Sequence, residues 1–193
     1  RRIGEPDHLV AHSFGGAVAL AAILRGAVPI HSLAIFEAAV VSLLPQDSSG
    51  NAPDAFPTAA RRTSDEFEMA HNRGEKDAVK IVIDYWGGEG AFDALPGAAQ
   101  DYCRETAGSN VLDWRTVFGF TATDTDLATL TAPTLVVRGE HASPSMRAIT
   151  QTLQDNLPNA QSTVVGGANH FLTATHAAAC ASVLLEFWNA LPD

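Results

Sequence analysis

The chain has 193 residues, of which 46% are hydrophobic and 18% are charged, with 22 acidic against 12 basic side chains. A chain of this length removes roughly 70% of its unfolded surface from water on folding, so its core needs neither disulfides nor a structural metal. The composition excludes collagen, coiled coil and a disordered chain, and the net charge of −10 argues against nucleic acid or an anionic membrane surface as a partner.

Four short apolar runs, rich in β-branched residues, predict buried parallel strands along the chain. The first two strands flank a helical segment, which predicts a βαβ crossover. The last helix has apolar residues at 3.6-residue spacing and is expected to pack on the sheet. In chain order the predicted elements are strand 8–11, helix 15–25, strand 33–36, strand 134–138, helix 144–157, strand 162–165 and helix 174–191.

Between residues 45 and 131 the strand-like runs disappear, and helical stretches alternate with glycine-containing breaks. The breaks at 87–90, 96–97 and 108–110 predict a helical insertion between the two halves of the sheet. Its first part, residues 46–58, is rich in Asp, Ser, Pro, Gly and Asn and is interpreted as an ordered excursion or a mobile loop.

The start of the chain lies only a few residues before a predicted central strand, and it has no initiator methionine. A four-stranded parallel sheet with both edges open is an uncomfortable complete fold, because unpaired strand edges invite pairing with other chains. We therefore expect that an N-terminal part of the fold is missing.

A serine motif stands where the first predicted strand ends and the first helix begins. It reads Ala-His-Ser-Phe-Gly-Gly at residues 11–16. A nucleophilic serine on a strained turn needs small residues two positions before and after it, here Ala11 and Gly15. Ser13 is the candidate nucleophile, and the N–H of Phe14, at a helix N-terminus, is the candidate oxyanion donor. The alternative is an ordinary helix N-cap serine.

Three segments together resemble the α/β-hydrolase superfamily, read from its nucleophile strand to its C-terminus. They are His-Leu-Val-Ala-His-Ser-Phe-Gly-Gly-Ala-Val-Ala from residue 8, Ala-Pro-Thr-Leu-Val-Val-Arg-Gly-Glu from residue 132, and Gly-Gly-Ala-Asn-His-Phe-Leu from residue 166. The resemblance implies an N-terminally truncated α/β-hydrolase fold, a mostly parallel sheet flanked by helices with a helical cap insertion. It implies a first core part at 1–44, the cap at 45–131 and a second core part at 132–193.

His170 is the candidate general base. A serine hydroxyl is a poor nucleophile without an adjacent base, and the resemblance puts the catalytic histidine after the last strand, where His170 follows residues 166–169. The alternative is a loop histidine with a structural hydrogen bond. His12 adjoins the serine, but neighbouring side chains on such a turn point apart, so we expect it to contact the early strands or the cap beside the substrate.

The acid departs from the commoner pattern of the family. A few residues beyond the third strand, where an Asp is expected, the chain has Ala142. Some members place the acid at the end of the strand that follows the nucleophile helix, and there the chain has Glu37. Glu37 is the first choice, because His170 would pair a carboxylate that closes a buried strand. Glu140 is the second choice, and the alternative for Glu37 is an ion pair with an arginine.

Most aromatic residues concentrate in the predicted cap. Rings that face inward over the serine would form an apolar pocket that excludes water. The alternative for any single ring is a place in the cap's own core. The residues predicted to line the substrate pocket are His12, Trp86, Trp114, Phe118 and Phe171.

The leading hypothesis is a cofactor-independent serine hydrolase of the esterase type, which forms an acyl-enzyme on a small to medium hydrophobic ester or related carbonyl substrate. The resemblance also admits carbon–carbon bond hydrolases and acyltransferases. The alternative is a non-catalytic ligand-binding protein of the same fold. We expect no metal and no membrane partner, and the isolated Cys103 and Cys180, with no signal peptide or membrane-spanning run, predict a cytoplasmic protein.

Overall fold

A parallel four-stranded sheet forms the centre of the protein in the computed structural model, which describes residues 7–45 and 56–191. The strand order follows the sequence, and each neighbouring pair is parallel. The strands are β1 (Asp7–His12), β2 (Ile30–Phe36), β3 (Thr134–Gly139) and β4 (Ala160–Val165). Each contains the corresponding predicted run, so the α/β fold class and its strands are confirmed.

Nine α-helices accompany the sheet in the described ranges, with a short 3₁₀ turn at Val41–Leu43. None of the helices in those ranges has the length and apolar character needed to cross a membrane. The helices are α1 (Phe14–Leu24), α2 (Phe56–Asn72), α3 (Lys80–Gly87), α4 (Gly97–Glu105), α5 (Ala107–Gly119), α6 (Asp124–Ala128), α7 (Pro144–Asn156), α8 (Leu172–Thr175) and α9 (Ala177–Asn189).

Three local predictions differ from these bounds. The break expected at 108–110 lies inside α5, and the helices separate instead at Thr106. The single predicted C-terminal helix is divided at His176 into α8 and α9. Most of the predicted excursion at 46–58 lies outside the described residues, and its last part, from Phe56, is the beginning of α2.

The sheet is buried on both faces at its centre, which explains the continuous apolar run of β2. Leu33, Ala34 and Ile35 are fully buried. Successive side chains of a strand point to opposite faces. Leu33 and Ile35 belong to one apolar cluster with α1, α7 and the inserted helices, and Ala34 belongs to a second cluster with Phe187 of α9.

Of the helices between β2 and β3, α2 to α5 pack on one another and on the sheet side that carries α1, while α6 contacts α7. Helix α2 contacts α3 and α5, and α5 contacts α1 and the 3₁₀ turn. Phe67 of α2 and Phe92 after α3 are almost fully buried within the same apolar cluster as the sheet face. One continuous core therefore positions these helices over the carboxyl end of β1.

Helix α1 approaches the end of β2 closely at Gly16. A Cβ atom on Gly16 would lie 2.4 Å from the Cβ of Ala38, far closer than two non-bonded carbon atoms can approach. Gly15 is different, since a Cβ there would meet nothing within 4 Å. The close backbone approach in the serine motif is therefore at Gly16. No contact within the described structure requires a glycine at position 15.

We predict that Gly16→Ala lowers the free energy of unfolding by about 1–3 kcal/mol, because the added methyl group overpacks the contact with Ala38. Gly15→Ala is the matched control, and it should leave stability unchanged or raise it by up to about 1 kcal/mol through helix propensity. Urea unfolding of both variants measures the difference. Equal stabilities for the two variants would contradict the assignment of the close approach to Gly16.

Candidate active site

Ser13 occupies a strained turn between β1 and α1. Its backbone dihedrals, φ 52° and ψ −124°, are rarely adopted by residues other than glycine. A backbone conformation of this kind costs about 1–3 kcal/mol of stability. The backbone holds the turn in place, because Ser13 N–H donates to the carbonyl of Phe36 at 3.1 Å and Ser13 C=O accepts from Gly16 and Ala39. The hydroxyl makes no N-cap bond to α1, so the ordinary N-cap interpretation does not describe it.

Glu37 follows the last residue of β2 and also has a positive φ, of 45°. Its N–H donates to the carbonyl of Val137 in β3, which holds it against the neighbouring strand. The side chain is 1% exposed. One carboxylate oxygen, Oε1, accepts the N–H of Gly139 at 2.7 Å, and this leaves Oε2 for a second partner.

His170 lies in the loop between β4 and α8 and is 2% exposed. The loop passes so close to β3 that a Cβ on Gly139 would lie 2.3 Å from the carbonyl oxygen of Ala168. On its other side, Asn169 donates through Nδ2 to the carbonyl of Gly87 at the end of α3. The loop is thus held between the sheet and the inserted helices.

The structure brings Ser13, His170 and Glu37 together in a hydrogen-bonded line. The Oγ of Ser13 lies 2.9 Å from Nε2 of His170, and Nδ1 of His170 lies 2.8 Å from Oε2 of Glu37. Donation of the Nδ1 proton to the carboxylate leaves Nε2 as the acceptor for the serine hydroxyl. This geometry can move a proton from the hydroxyl to the imidazole while the carboxylate holds the ring.

The other carboxylate considered from the sequence, Glu140, takes a different position. Its Oε2 accepts the N–H of Gly167 at 2.7 Å, so it stabilises the turn after β4 and does not meet the imidazole. Ala142, at the commoner acid position, is buried and has no polar side chain. Among the candidates that the sequence left open, Glu37 is the one beside His170.

A cavity of about 130 Å³ opens beside Ser13 and His170. Three of the predicted pocket residues, Trp86, Trp114 and Phe171, line it. Trp86 stacks on Trp114 with ring centroids 5.4 Å apart and on His170 at 5.5 Å. Phe14 also lines the cavity, and as the first residue of α1 its N–H has no intrahelical acceptor.

His12 and Phe118, also predicted to line the pocket, do not. His12 lies behind the candidate base, where its Nε2 donates to the carbonyl oxygen of His170 at 2.8 Å. Phe118 packs against Trp114 and carries the guanidinium of Arg61, from α2, 3.5 Å from its ring centre. A guanidinium is attracted to the face of an aromatic ring, which favours this position of Phe118 beside α2.

Among the lining residues that the sequence analysis did not predict are two polar ones, Asn110 and Asp113. With Trp114 and Val117 they occupy positions i, i+3, i+4 and i+7 of α5, so that one face of the helix lines the cavity. The same spacing, applied to Trp114, would have indicated them. Burial raises the pKa of the Asp113 carboxyl above its usual value.

The imidazole of His12 is held in its neutral form. Burial is the main cause that lowers its pKa, and repulsion from His170 adds to it, while the hydrogen bond to the His170 carbonyl and the charge of Glu37 act in the opposite direction. Neutral His12 with its proton on Nε2 matches the bond to that carbonyl. It therefore supports the loop that carries the candidate base.

This shift predicts a pH dependence of stability. Because the pKa of His12 is lower in the folded state than in the unfolded chain, the unfolded chain binds the proton first, and stability falls as the pH drops below about 6.5. His12→Gln keeps an N–H donor but cannot be protonated. We expect wild type to lose more stability than His12→Gln between pH 7 and pH 5 in urea unfolding.

The control is His31→Gln, which makes the same replacement at an exposed histidine. The His12→Gln curve is compared with the His31→Gln curve, which shows what the replacement of a histidine outside the site does to the pH dependence. Parallel curves for wild type and His12→Gln would contradict the proposed support of the loop by neutral His12.

In the described part of the chain, no group of three or more His, Cys, Asp or Glu side chains is arranged to hold a metal ion. The line of hydroxyl, imidazole and carboxylate is formed by side chains alone. What the arrangement can do is proton transfer and nucleophilic attack.

Comparison with known proteins gives a family and a fold. A family model described as alpha/beta hydrolase family matches residues 1–183, whereas no curated protein matches the chain. Solved structures that resemble it include a bromoperoxidase from Bacillus anthracis, with 21% identity and a TM-score of 0.70 over 94% of this chain and 67% of that chain.

Two further solved structures show the same overall similarity. An alpha/beta hydrolase from Sphaerobacter thermophilus has 25% identity and a TM-score of 0.63, covering 96% of this chain and 68% of that one. The esterase RhEst1 from a Rhodococcus species has 18% identity and a TM-score of 0.66, covering 96% and 66%. The chain thus spans about two thirds of the length of these relatives.

Proposed function

The chain belongs to the alpha/beta hydrolase family, and within that family we propose that it is a cofactor-independent serine hydrolase that acts through an acyl-enzyme. The observation that carries the proposal is the line from Ser13 through His170 to Glu37, with heavy-atom distances of 2.9 and 2.8 Å. Both lie within the range of direct hydrogen bonds. Fold alone does not imply this chemistry, so the proposal depends on the site.

In the proposed reaction the oxygen of Ser13 attacks the substrate carbonyl while its proton passes to Nε2 of His170. The carbonyl oxygen becomes an oxyanion, which the N–H of Phe14 stabilises at the N-terminus of α1. The tetrahedral intermediate collapses, and His170 returns the proton to the leaving alcohol. Water then attacks the acyl-enzyme by the same route, which releases the acid and restores Ser13.

Glu37 is proposed to stabilise the imidazolium that forms at each attack. Its carboxylate is 1% exposed and accepts two hydrogen bonds, one from His170 and one from Gly139. A preorganised charge in a water-excluded site interacts strongly with a cation that develops beside it. Trp86 adds to this effect, because its ring stacks on His170 within the distance at which an aromatic face attracts a cation.

The substrate proposed is a small to medium, largely hydrophobic ester. The cavity of about 130 Å³ is walled by Trp86, Trp114 and Phe171, and an engineered apolar cavity of about 150 Å³ holds a benzene molecule. We propose that the insertion at 45–131, of which residues 46–55 lie outside the described part, is a cap, because α3 and α5 supply two tryptophans that line the cavity beside Ser13.

A fluorophosphonate probe tests the nucleophile. It should label the protein covalently on Ser13, because the hydroxyl is hydrogen-bonded to a base that can accept its proton. Ser13→Ala and His170→Ala should abolish labelling, as measured by intact-protein mass spectrometry. Ser182→Ala, at an exposed serine of α9, is the matched control and should label like wild type. A wild-type protein that is folded and stays unlabelled would favour the ligand-binding alternative.

The choice of acid is tested with two matched variants. Glu37→Gln should lower kcat by about 10³- to 10⁴-fold, because the amide cannot stabilise the imidazolium and permits the wrong tautomer. Glu140→Gln should stay within a few-fold of wild type, since Glu140 binds the Gly167 N–H and not the imidazole. Steady-state hydrolysis of 4-nitrophenyl esters measures both. The reverse order of effects would show that Glu140 is the acid.

A further inference from the structure

The apolar cavity has a polar strip that the proposed reaction does not use. Asn110 and Asp113 lie on the face of α5 that lines the cavity, beside Trp114. The remaining walls contributed by the inserted helices are apolar or aromatic, as at Val82, Ile83 and Trp86. Two hydrogen-bonding side chains on one helical face give an otherwise apolar cavity a place to bind a polar group.

Asn110 carries a buried acceptor without a partner. Its Oδ1 is inaccessible to solvent and forms no hydrogen bond within the described part of the chain. Buried polar atoms of native proteins are nearly always paired, since an unpaired one costs about 1–3 kcal/mol. Because Asn110 also lines the cavity, a bound molecule towards which this amide turns can supply the missing donor.

Asp113 carries a second acceptor. Among the described residues, no hydrogen bond or ion pair holds its carboxylate, and the neighbouring Arg115 forms its ion pair with Glu68. The raised pKa of Asp113 reflects partial removal of the carboxyl from water. Unlike Oδ1 of Asn110, this carboxyl is only partly buried and stays open to water. Because Asp113 lines the cavity, a donor on a ligand can replace that water.

We propose that Asn110 and Asp113 form a specificity subsite that binds a hydrogen-bond donor, a hydroxyl or amino group, on an otherwise apolar substrate. The inference rests on the proposed hydrolase function, since the subsite shares its cavity with Ser13 and His170. A site built to hydrogen-bond a substrate hydroxyl rejects the analogue that lacks it, because the analogue leaves the buried polar atoms unpaired. The preferred substrate is thus a polar-substituted ester.

Substituted methyl phenylacetates test the subsite, since a benzene ring matches the size of the cavity and Trp114 lines that cavity beside Asn110 and Asp113. The series carries a hydroxyl or a methyl group at the ortho, meta or para position, so that the two groups are compared at similar volume. We expect kcat/KM for the hydroxyl ester to exceed that for the methyl ester by about tenfold or more at one position at least.

Asn110→Leu and Asp113→Leu should each reduce that ratio, since each removes an acceptor. Ser109→Leu, at the adjacent exposed position of α5, is the control for an added leucine and should keep it. Aminomethyl esters separate the two kinds of donor. If wild type prefers aminomethyl esters to methyl esters and Asp113→Asn does not, the subsite binds a cation. If wild type prefers hydroxyl esters and Asp113→Asn keeps that preference, the subsite binds a neutral donor. Both results support the subsite.

Binding of the same esters to Ser13→Ala, measured by calorimetry, separates the subsite from the reaction. Discrimination in binding without turnover by wild type would support the subsite and reject the hydrolase. Hydrolysis by wild type with no discrimination between hydroxyl, aminomethyl and methyl esters would support the hydrolase and reject the subsite. The subsite is overturned if methyl esters are bound and hydrolysed as well as hydroxyl and aminomethyl esters at every position, or if the discrimination survives both leucine variants.

Discussion

The buried hydrogen bond between His170 and Glu37 is the interaction on which the rest of the site depends. Both side chains are almost fully removed from water, at 2% and 1% exposure, and a buried carboxylate is costly unless it is paired and hydrogen-bonded. The bond joins the end of β2 to the loop after β4, and the N–H of Gly139 ties the same carboxylate to β3. One side chain thus connects three parts of the fold.

The segments that carry His170 and Glu37 lie next to each other because the backbone packs closely at two glycines. Gly139 leaves room for the carbonyl of Ala168, and Gly16 leaves room for Ala38 next to Glu37. Ser13 and Glu37 both hold a positive φ without being glycines. Such strain is stored where the surrounding hydrogen bonds over-determine the backbone, and here both residues contribute their side chains to the same hydrogen-bonded line.

The inserted helices are part of the same network. Trp86 stacks on the His170 ring, and the carbonyl of Gly87 accepts from Asn169, the residue before the histidine. A Cβ on Gly87 would collide with the ring of Phe171, so the end of α3 can lie directly on this loop. Helix α3 therefore both lines the cavity and holds the loop that carries His170.

The strands could be predicted from the sequence, because a buried parallel strand is a continuous apolar run. The serine turn and the histidine loop could be predicted from segments that resemble the α/β-hydrolase superfamily. Packing between elements distinguished Glu37 from Glu140, placed His12 and Phe118 outside the pocket, and brought Asn110 and Asp113 into it. The first set can be recognised within single segments of the chain. The second depends on which side chains meet across different elements, and that is set by their packing.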